Sequence, residues 1–305
     1  MGKERRLSQT LRTGILSPLR LPFLVLAPTC FLLGLGTAFK TGLHINPLHA
    51  ILALLATLTA HVSVNVFNEY FDFKSGLDGR TRRTPFSGGS GALPGNPVMA
   101  GVALLTALIS FLATLLIGVY FAFSKGAAIL PLWLTGLLII IAYTPWITRH
   151  PLLCHFAPGL GFGPLMVMAT HFALTGRYSW SAFAASLVPF FLVSNLLLLN
   201  QFPDVEADES VGRRHMPIVI GRRRSGFIYG LFLALAYLAL IAGVAESLLP
   251  AISLLGLLTV VIAAPVFLNA VRHSEDLKKL VPFMGLNVIL TLLTPLLVAV
   301  GLFVP

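Results

Sequence analysis

The amino-acid sequence predicts an all-α, polytopic membrane protein with nine transmembrane helices. Composition sets the class. Of 305 residues, 56% are hydrophobic and 10% charged, whereas a soluble domain carries about 25% charged residues. A surface so poor in charge does not face water. Run length sets the element: the apolar stretches approach the roughly 20 residues that a helix needs to cross about 30 Å of hydrocarbon. Charge asymmetry sets the count. With spans at 20–39, 48–68, 97–121, 127–146, 157–175, 180–202, 226–244, 248–270 and 280–304, eighteen of the 21 lysines and arginines fall on one side. Only Lys40, Lys125 and Arg177 fall on the other. Positive charge marks the cytoplasmic side. The N-terminus is therefore expected in the cytoplasm and the C-terminus opposite, in a cytoplasmic membrane. An error of one helix would scramble this split.

The connections support one domain over 1–305. Those at 40–47, 122–126, 176–179 and 245–247 are short, and those at 69–96 and 203–225 are long and polar. The net charge of +10 reads as topology and not as nucleic-acid binding, because the basic residues follow the loops. Cys30 and Cys154 form neither a disulfide framework nor a metal pattern. The basic segment before span one lacks a small-residue cleavage site, so no cleaved signal peptide is expected. Met1-Gly2 would suit myristoylation only with Ser or Thr at position 6, which is Arg6.

The two long loops begin with the acidic residues. Seven of the chain's eleven carboxylates are Glu69, Asp72, Asp78, Asp204, Glu206, Asp208 and Glu209. Asn65, Asn68, Glu69 and Asp72 are spaced i, i+3, i+4, i+7, which places them on one helix face. Asn200, Asp204 and Asp208 follow at i, i+4, i+8, again one stripe if the helix continues past Pro203. Ionisable groups at the edge of hydrocarbon turn toward partners or a cavity. Carboxylates with amide oxygens, and no Cys or His ligand pattern, suit a hard cation. Mg²⁺ fits, since it takes oxygen ligands and shares its shell with substrate phosphates. Each cluster is followed by bases: Lys74, Arg80, Arg82 and Arg83 after the first, Arg213 and Arg214 after the second. Guanidinium groups make bidentate phosphate contacts. Acid and base in one loop match a Mg²⁺-diphosphate. Arg222 to Arg224, just before a span, read mainly as a topology signal.

These stretches resemble the Asn/Asp-rich motifs of the UbiA superfamily of intramembrane aromatic prenyltransferases, NDxxDxxxxxD and NxxxDxxxD. They stand here as Asn68-Glu69, Asp72 and Asp78, then Asn200, Asp204 and Asp208. The resemblance extends to Leu21–Gly34, to Tyr143-Thr144-Pro145 closing span four, and to Gly161-Phe162-Gly163-Pro164 in span five. Asp204–Gly221 is most similar to the branch that prenylates 1,4-dihydroxy-2-naphthoate for menaquinone. Three features depart: Glu69 stands where the motif often has Asp, His215 where that branch often has Thr, and an acidic residue common in the approach to span five is absent around Phe156-Ala157-Pro158.

The resemblance implies a nine-helix bundle whose central cavity is capped on the cytoplasmic side. It implies a polyprenyl diphosphate donor, Mg²⁺ held by Asn68, Asp72, Asp78, Asn200, Asp204 and Asp208, and an aromatic quinone-precursor acceptor. Lys74, Arg80, Arg82, Arg83, Arg213 and Arg214 add charge around the diphosphate. The allylic C–O bond then ionises and the carbocation attacks the aromatic ring. Glu69, Tyr70, Tyr143 and Phe162 are candidates on the cation or acceptor side. The glycine-rich run Phe86–Gly95 is the candidate cap. His61 and His171 read as buried bundle histidines.

Two other classes use similar residues. A cation-coupled transporter would hold the carboxylates near the bilayer midplane; here they close the helices, beside arginines. The CDP-alcohol phosphotransferases share Asp78-Gly79 and Arg82 but require a GxxxDxxxD continuation that is missing.

Overall fold

The computed structural model describes residues 21–304. Lys3, Arg5, Arg6, Arg12, Arg20 and the Met1-Gly2 pair lie outside the described residues. Those described form helices and turns, with no strand among them. In chain order the helices are α1 (Leu26–Phe39), α2 (Pro47–Ser75), α3 (Pro97–Lys125), α4 (Ala127–Ala142), α5 (Pro151–Thr175) and α6 (Trp180–Asn200). Two short helices follow, α7 (Val205–Ser210) and α8 (Met216–Ile220). Then come α9 (Arg222–Ala245), α10 (Ala251–Arg272) and α11 (Leu277–Phe303). Seven of these are long and apolar enough to cross a membrane, and α1 and α4 are shorter apolar helices at the first and fourth predicted spans.

The ends of α2 explain the first acidic cluster. Asn46 caps its start, its side chain accepting from the N–H groups of Leu48 and His49, with Pro47 in the first turn. Gly76, at φ +74°, ends it in the left-handed conformation that glycine adopts freely. The helix therefore runs seven residues past the predicted boundary at 68. Asn68, Glu69 and Asp72 sit on its last turns, on one helix as their spacing implies, although the loop was expected from 69.

The second cluster departs from the expected stripe. Helix α6 stops at Asn200, residues 201–204 form a turn, and α7 starts at Val205. Pro203 has no N–H to continue the ladder. Asp204 thus lies in a corner, between Asn200 at the end of α6 and Asp208 on α7.

Helix α5 begins at Pro151, six residues before the predicted start, and its centre, Gly161–Met168, is π-helical. Pro158 and Pro164 remove two N–H donors there, and wide turns of this kind concentrate at functional sites. Gly159 and Gly163 let α5 lie directly on α6: a Cβ on Gly163 would stand 2.5 Å from the Ser186 carbonyl oxygen.

The dense core joins α1, α6, α9, α10 and α11 through Leu33, Leu192, Leu199, Tyr229, Val266 and Met284. Polar pins fix its register. Asn195 Nδ2 donates to the Tyr229 carbonyl at 2.8 Å, and Tyr229 Oη donates to Asn287 Oδ1 at 2.9 Å. The opposite half, between α2, α4 and α5, holds a cavity.

Candidate active site

Four carboxylates are buried at the polar ends of α2 and α6. Glu69 is 0% exposed, Asp72 6%, Asp78 5% and Asp208 4%. Carboxylates this deep need cationic or N–H partners. Arg213 supplies one between the two clusters: it donates from Nη2 to Asp72 Oδ1 and from Nη1 to Asp208 Oδ1, the latter at 2.9 Å. Burial works against the charge of Arg213, but Asp72 and Asp208 outweigh it and hold its pKa above the ordinary range. His215, buried at 2% exposure, places Nε2 3.0 Å from Asp208 Oδ2. Sequence reasoning noted His215 only as a departure from a motif. Its burial, two residues from Arg213, is what makes it part of the cluster.

The glycine-rich loop lies against the same carboxylates. Gly88 N–H donates to Asp204 Oδ2 at 3.1 Å. Ser90 donates twice to Glu69, from its N–H at 2.7 Å and from Oγ at 2.8 Å. A Cβ on Gly89 would stand 2.8 Å from Asp78 Oδ1. Gly88, Gly89 and Gly91 have φ of +81°, +71° and +72°, a backbone that turns N–H groups toward anions. The loop therefore contacts both acidic clusters.

The remaining predicted residues divide. Asn68 Nδ2 donates to Thr144 Oγ1 at 3.2 Å. Asn200 Oδ1 is buried without a hydrogen-bond partner. Arg83 packs its guanidinium on Gly91, and Arg80 reaches across to Ser210 Oγ at 3.1 Å. Arg80, Arg82, Arg83 and Arg214 are all exposed, unlike Arg213. Lys74 and Tyr70 pair with each other, the ammonium 5.8 Å from the ring centroid. Two residues either side of Asp72 is about 200° of helix, so this pair faces away from the cluster. Arg222, read from sequence as a topology signal, donates from Nε to the Phe202 carbonyl at 2.8 Å and pairs with Glu206 and Glu275. It braces the corner that carries Asp204.

Beneath the carboxylates lies a cavity of about 190 Å³ between α2, α4 and α5. Asn65, Asn68 and Tyr143 form its polar end, and Tyr143 feels the charges of Arg213, Asp208 and Asp72. Below them the wall is apolar, with Ala60, Leu137, Ile140 and Leu165. Phe162, from the π-helical stretch, packs edge-on against His61 at 4.7 Å. His171 bonds instead to Thr37 Oγ1 at 3.0 Å.

Among the described residues no three carboxylate, imidazole or thiol groups form a ready-made metal cage. That suits Mg²⁺, which typically takes one or two carboxylates and completes its shell with water and phosphate. The donors present are carboxylate oxygens and the unpartnered Asn200 Oδ1, all hard oxygen ligands.

Residues 25–303 match the UbiA prenyltransferase family. A 1,4-dihydroxy-2-naphthoate octaprenyltransferase of Bacillus subtilis is 28% identical over 61% of this chain; the match spans 59% of that protein's length. The Escherichia coli protein of the same name is 26% identical over 98% of this chain and 97% of its own. A UbiA homologue from Archaeoglobus fulgidus, solved with GPP and Mg²⁺, superposes with a TM-score of 0.57 at 16% identity, covering 92% of this chain and 99% of that one. With its helical bundle, paired acidic clusters and apolar cavity, this chain belongs to the UbiA prenyltransferase family and is a transferase of prenyl groups.

Proposed function

We propose that the protein transfers a polyprenyl group from its diphosphate to an aromatic quinone precursor, with 1,4-dihydroxy-2-naphthoate as the acceptor and menaquinone synthesis as the purpose. One observation carries this reading: the two acidic clusters, joined by Arg213, stand at the polar end of an apolar cavity. A diphosphate fits the first environment and an isoprenoid tail the second. The names of the relatives from B. subtilis and E. coli support the acceptor. In the membrane the chain, a single domain over 1–305, crosses nine times, α1 and α4 included. Both clusters face the cytoplasm and the glycine-rich loop caps them.

Asn68, Asp72, Asp78, Asn200, Asp204 and Asp208 would hold Mg²⁺, which when bound offsets the charge of the diphosphate. Arg213, Arg80 and Arg83 meet the negative charge that grows on the leaving group as the allylic C–O bond breaks. Arg82, Arg214 and Lys74 contribute from the exposed rim. Tyr143 and Phe162 line the cavity and supply aromatic rings that would stabilise the allylic cation. The cavity and the loop keep water from the cation. Carboxylates at helix ends, with an arginine between them, do not form the midplane cation path of a transporter.

The test is prenyl transfer by purified protein from a radiolabelled polyprenyl diphosphate to a panel of aromatic acceptors, with and without Mg²⁺. A metal-dependent lipid product with 1,4-dihydroxy-2-naphthoate is expected. Asp72→Ala and Asp204→Ala should each abolish it while still inserting in the membrane. Product with a different acceptor alone would overturn the menaquinone assignment, and none with any acceptor would overturn prenyl transfer to aromatics.

A further inference from the structure

We infer that Glu69 is a positioning residue, the latch that holds the glycine-rich loop over the diphosphate site, and not a ligand of the metal. The inference rests on the prenyl-transfer reading for the loop's purpose but not for its geometry. Both carboxylate oxygens of Glu69 are engaged by one residue: Oε1 accepts the Ser90 N–H at 2.7 Å and Oε2 accepts Ser90 Oγ at 2.8 Å. Ser90 Oγ in turn accepts the Ala92 N–H at 3.2 Å, so the grip passes into the one-turn helix Ala92–Gly95. Asp72, one turn further along α2, is differently employed, in the bridge to Arg213 and through it to Asp208. Neighbouring carboxylates on one helix face thus address two structures, the loop and the second cluster.

The choice of side chain follows from reach. Glu69 is fully buried on α2 and spans to a loop 21 residues later. An aspartate there would retract the carboxylate by one methylene and leave the Ser90 N–H short of its acceptor. A buried N–H without a partner is costly, and hydrogen bonds to a charged group are worth about 1.5–3 kcal/mol each. With the latch intact, the loop stays in register with Asp204 through Gly88 and with Asp78 through Gly89.

Reach and charge separate the two roles. Glu69→Gln keeps the reach, since the amide oxygen still accepts the Ser90 N–H and the amide nitrogen donates to Ser90 Oγ. Glu69→Asp keeps the charge and loses the reach. For a latch, Gln functions and Asp fails; for a metal ligand, the order reverses. The experiment compares full-length wild type, Glu69→Gln, Glu69→Asp and Glu69→Ala in lipid nanodiscs. Deuterium uptake is followed over residues 84–95, with the Michaelis constants for donor and acceptor and the Mg²⁺ dependence. Expected are raised uptake over 84–95 in Asp and Ala, a donor KM raised about tenfold, and an unmoved acceptor KM. Glu69→Gln should return uptake and donor KM to near wild type, with an overlapping Mg²⁺ titration. Unchanged uptake in Glu69→Ala overturns the latch. So does a Glu69→Gln protein that needs far more Mg²⁺ while Glu69→Asp works normally. If wild type forms no prenylated product, the functional reading fails, and the uptake comparison still decides the latch.

Discussion

Helices α2 and α6 carry equivalent cargo in opposite settings. Each carries near its end an Asn that Asp follows four residues later, Asn68 and Asp72 in the first and Asn200 and Asp204 in the second. Helix α2 runs unbroken through its cluster to Ser75, is 33% buried across its apolar window, and borders the cavity. Helix α6 stops at its Asn, turns a corner, and is 72% buried. The first cluster is therefore placed by a continuous rod. The second is placed by packing: a tightly held helix end, a proline turn, and braces from elsewhere. Two similar motifs can be positioned by different physics, and they should fail differently.

The strongest way to break this pairing is at the residue shared by both. Arg213→Ala strands Asp72 and Asp208 without their common cation, and breaking a buried pair costs about 3–5 kcal/mol. Loss of charge at the diphosphate alone costs about 10²–10³ in kcat. Turnover in a steady-state prenyl-transfer assay should fall by at least that much, while Arg213→Lys should recover only part of it. Wild-type rates in Arg213→Ala would show that the clusters do not work together.

The next contrast is steric. Gly163→Ala pushes a methyl group into the Ser186 carbonyl on the α6 side, and overpacking costs about 1–3 kcal/mol. Its thermal midpoint in detergent should fall. On the α2 side, Gly136 meets only Leu165 Cδ1 at 3.9 Å from an added Cβ, and it lines the cavity. Gly136→Leu should leave the midpoint nearly unchanged and shift preference toward donors with shorter tails. Equal destabilisation by both would remove the distinction between the packed and the open half.

A third contrast concerns the brace on the second cluster. Arg222→Ala removes a charged hydrogen bond to the Phe202 carbonyl, worth about 1.5–3 kcal/mol, and the mostly exposed pair with Glu206. Burial tends to raise the Glu206 pKa, but its hydrogen bond with Arg222 prevails and lowers it from 4.5. A depressed carboxylate pKa contributes stability above its unfolded value and loses it as pH falls through the folded one. The stability gap between wild type and Arg222→Ala should therefore narrow below about pH 4.5. Parallel curves across that range would exclude Glu206 from the brace.

Much of this was readable in the chain because hydrocarbon leaves few choices. A run of apolar residues becomes a helix, and charge falls at its ends. Asn68 and Asp72 were legible on one face because α2 is regular. Asp204 was misplaced because a stripe assumes a continuous helix, and Pro203 gave only a local hint of the corner. Arg213 was read as one of six bases. Its selection as the bridge depends on how 203–215 folds back toward α2, a long-range fact with no local signature. Glu69 and Ser90 are likewise joined only in space. The π-helical centre of α5 was invisible, since an apolar run does not distinguish a wide turn from an ordinary helical one.

Helix α4 is about 24 Å long at 1.5 Å per residue, shorter than hydrocarbon about 30 Å thick. One flank, with Leu134, Leu138 and Ile141, is exposed and apolar, and the other lines the cavity. If α4 crosses, as the nine-span proposal has it, lipid beside it must thin or the helix must settle toward one leaflet. There a single helix lies between that exposed apolar flank and the cavity. On the nine-span reading proposed above, membrane thickness becomes a variable of the protein: thin bilayers match α4, and thick ones strain the helix beside the cavity.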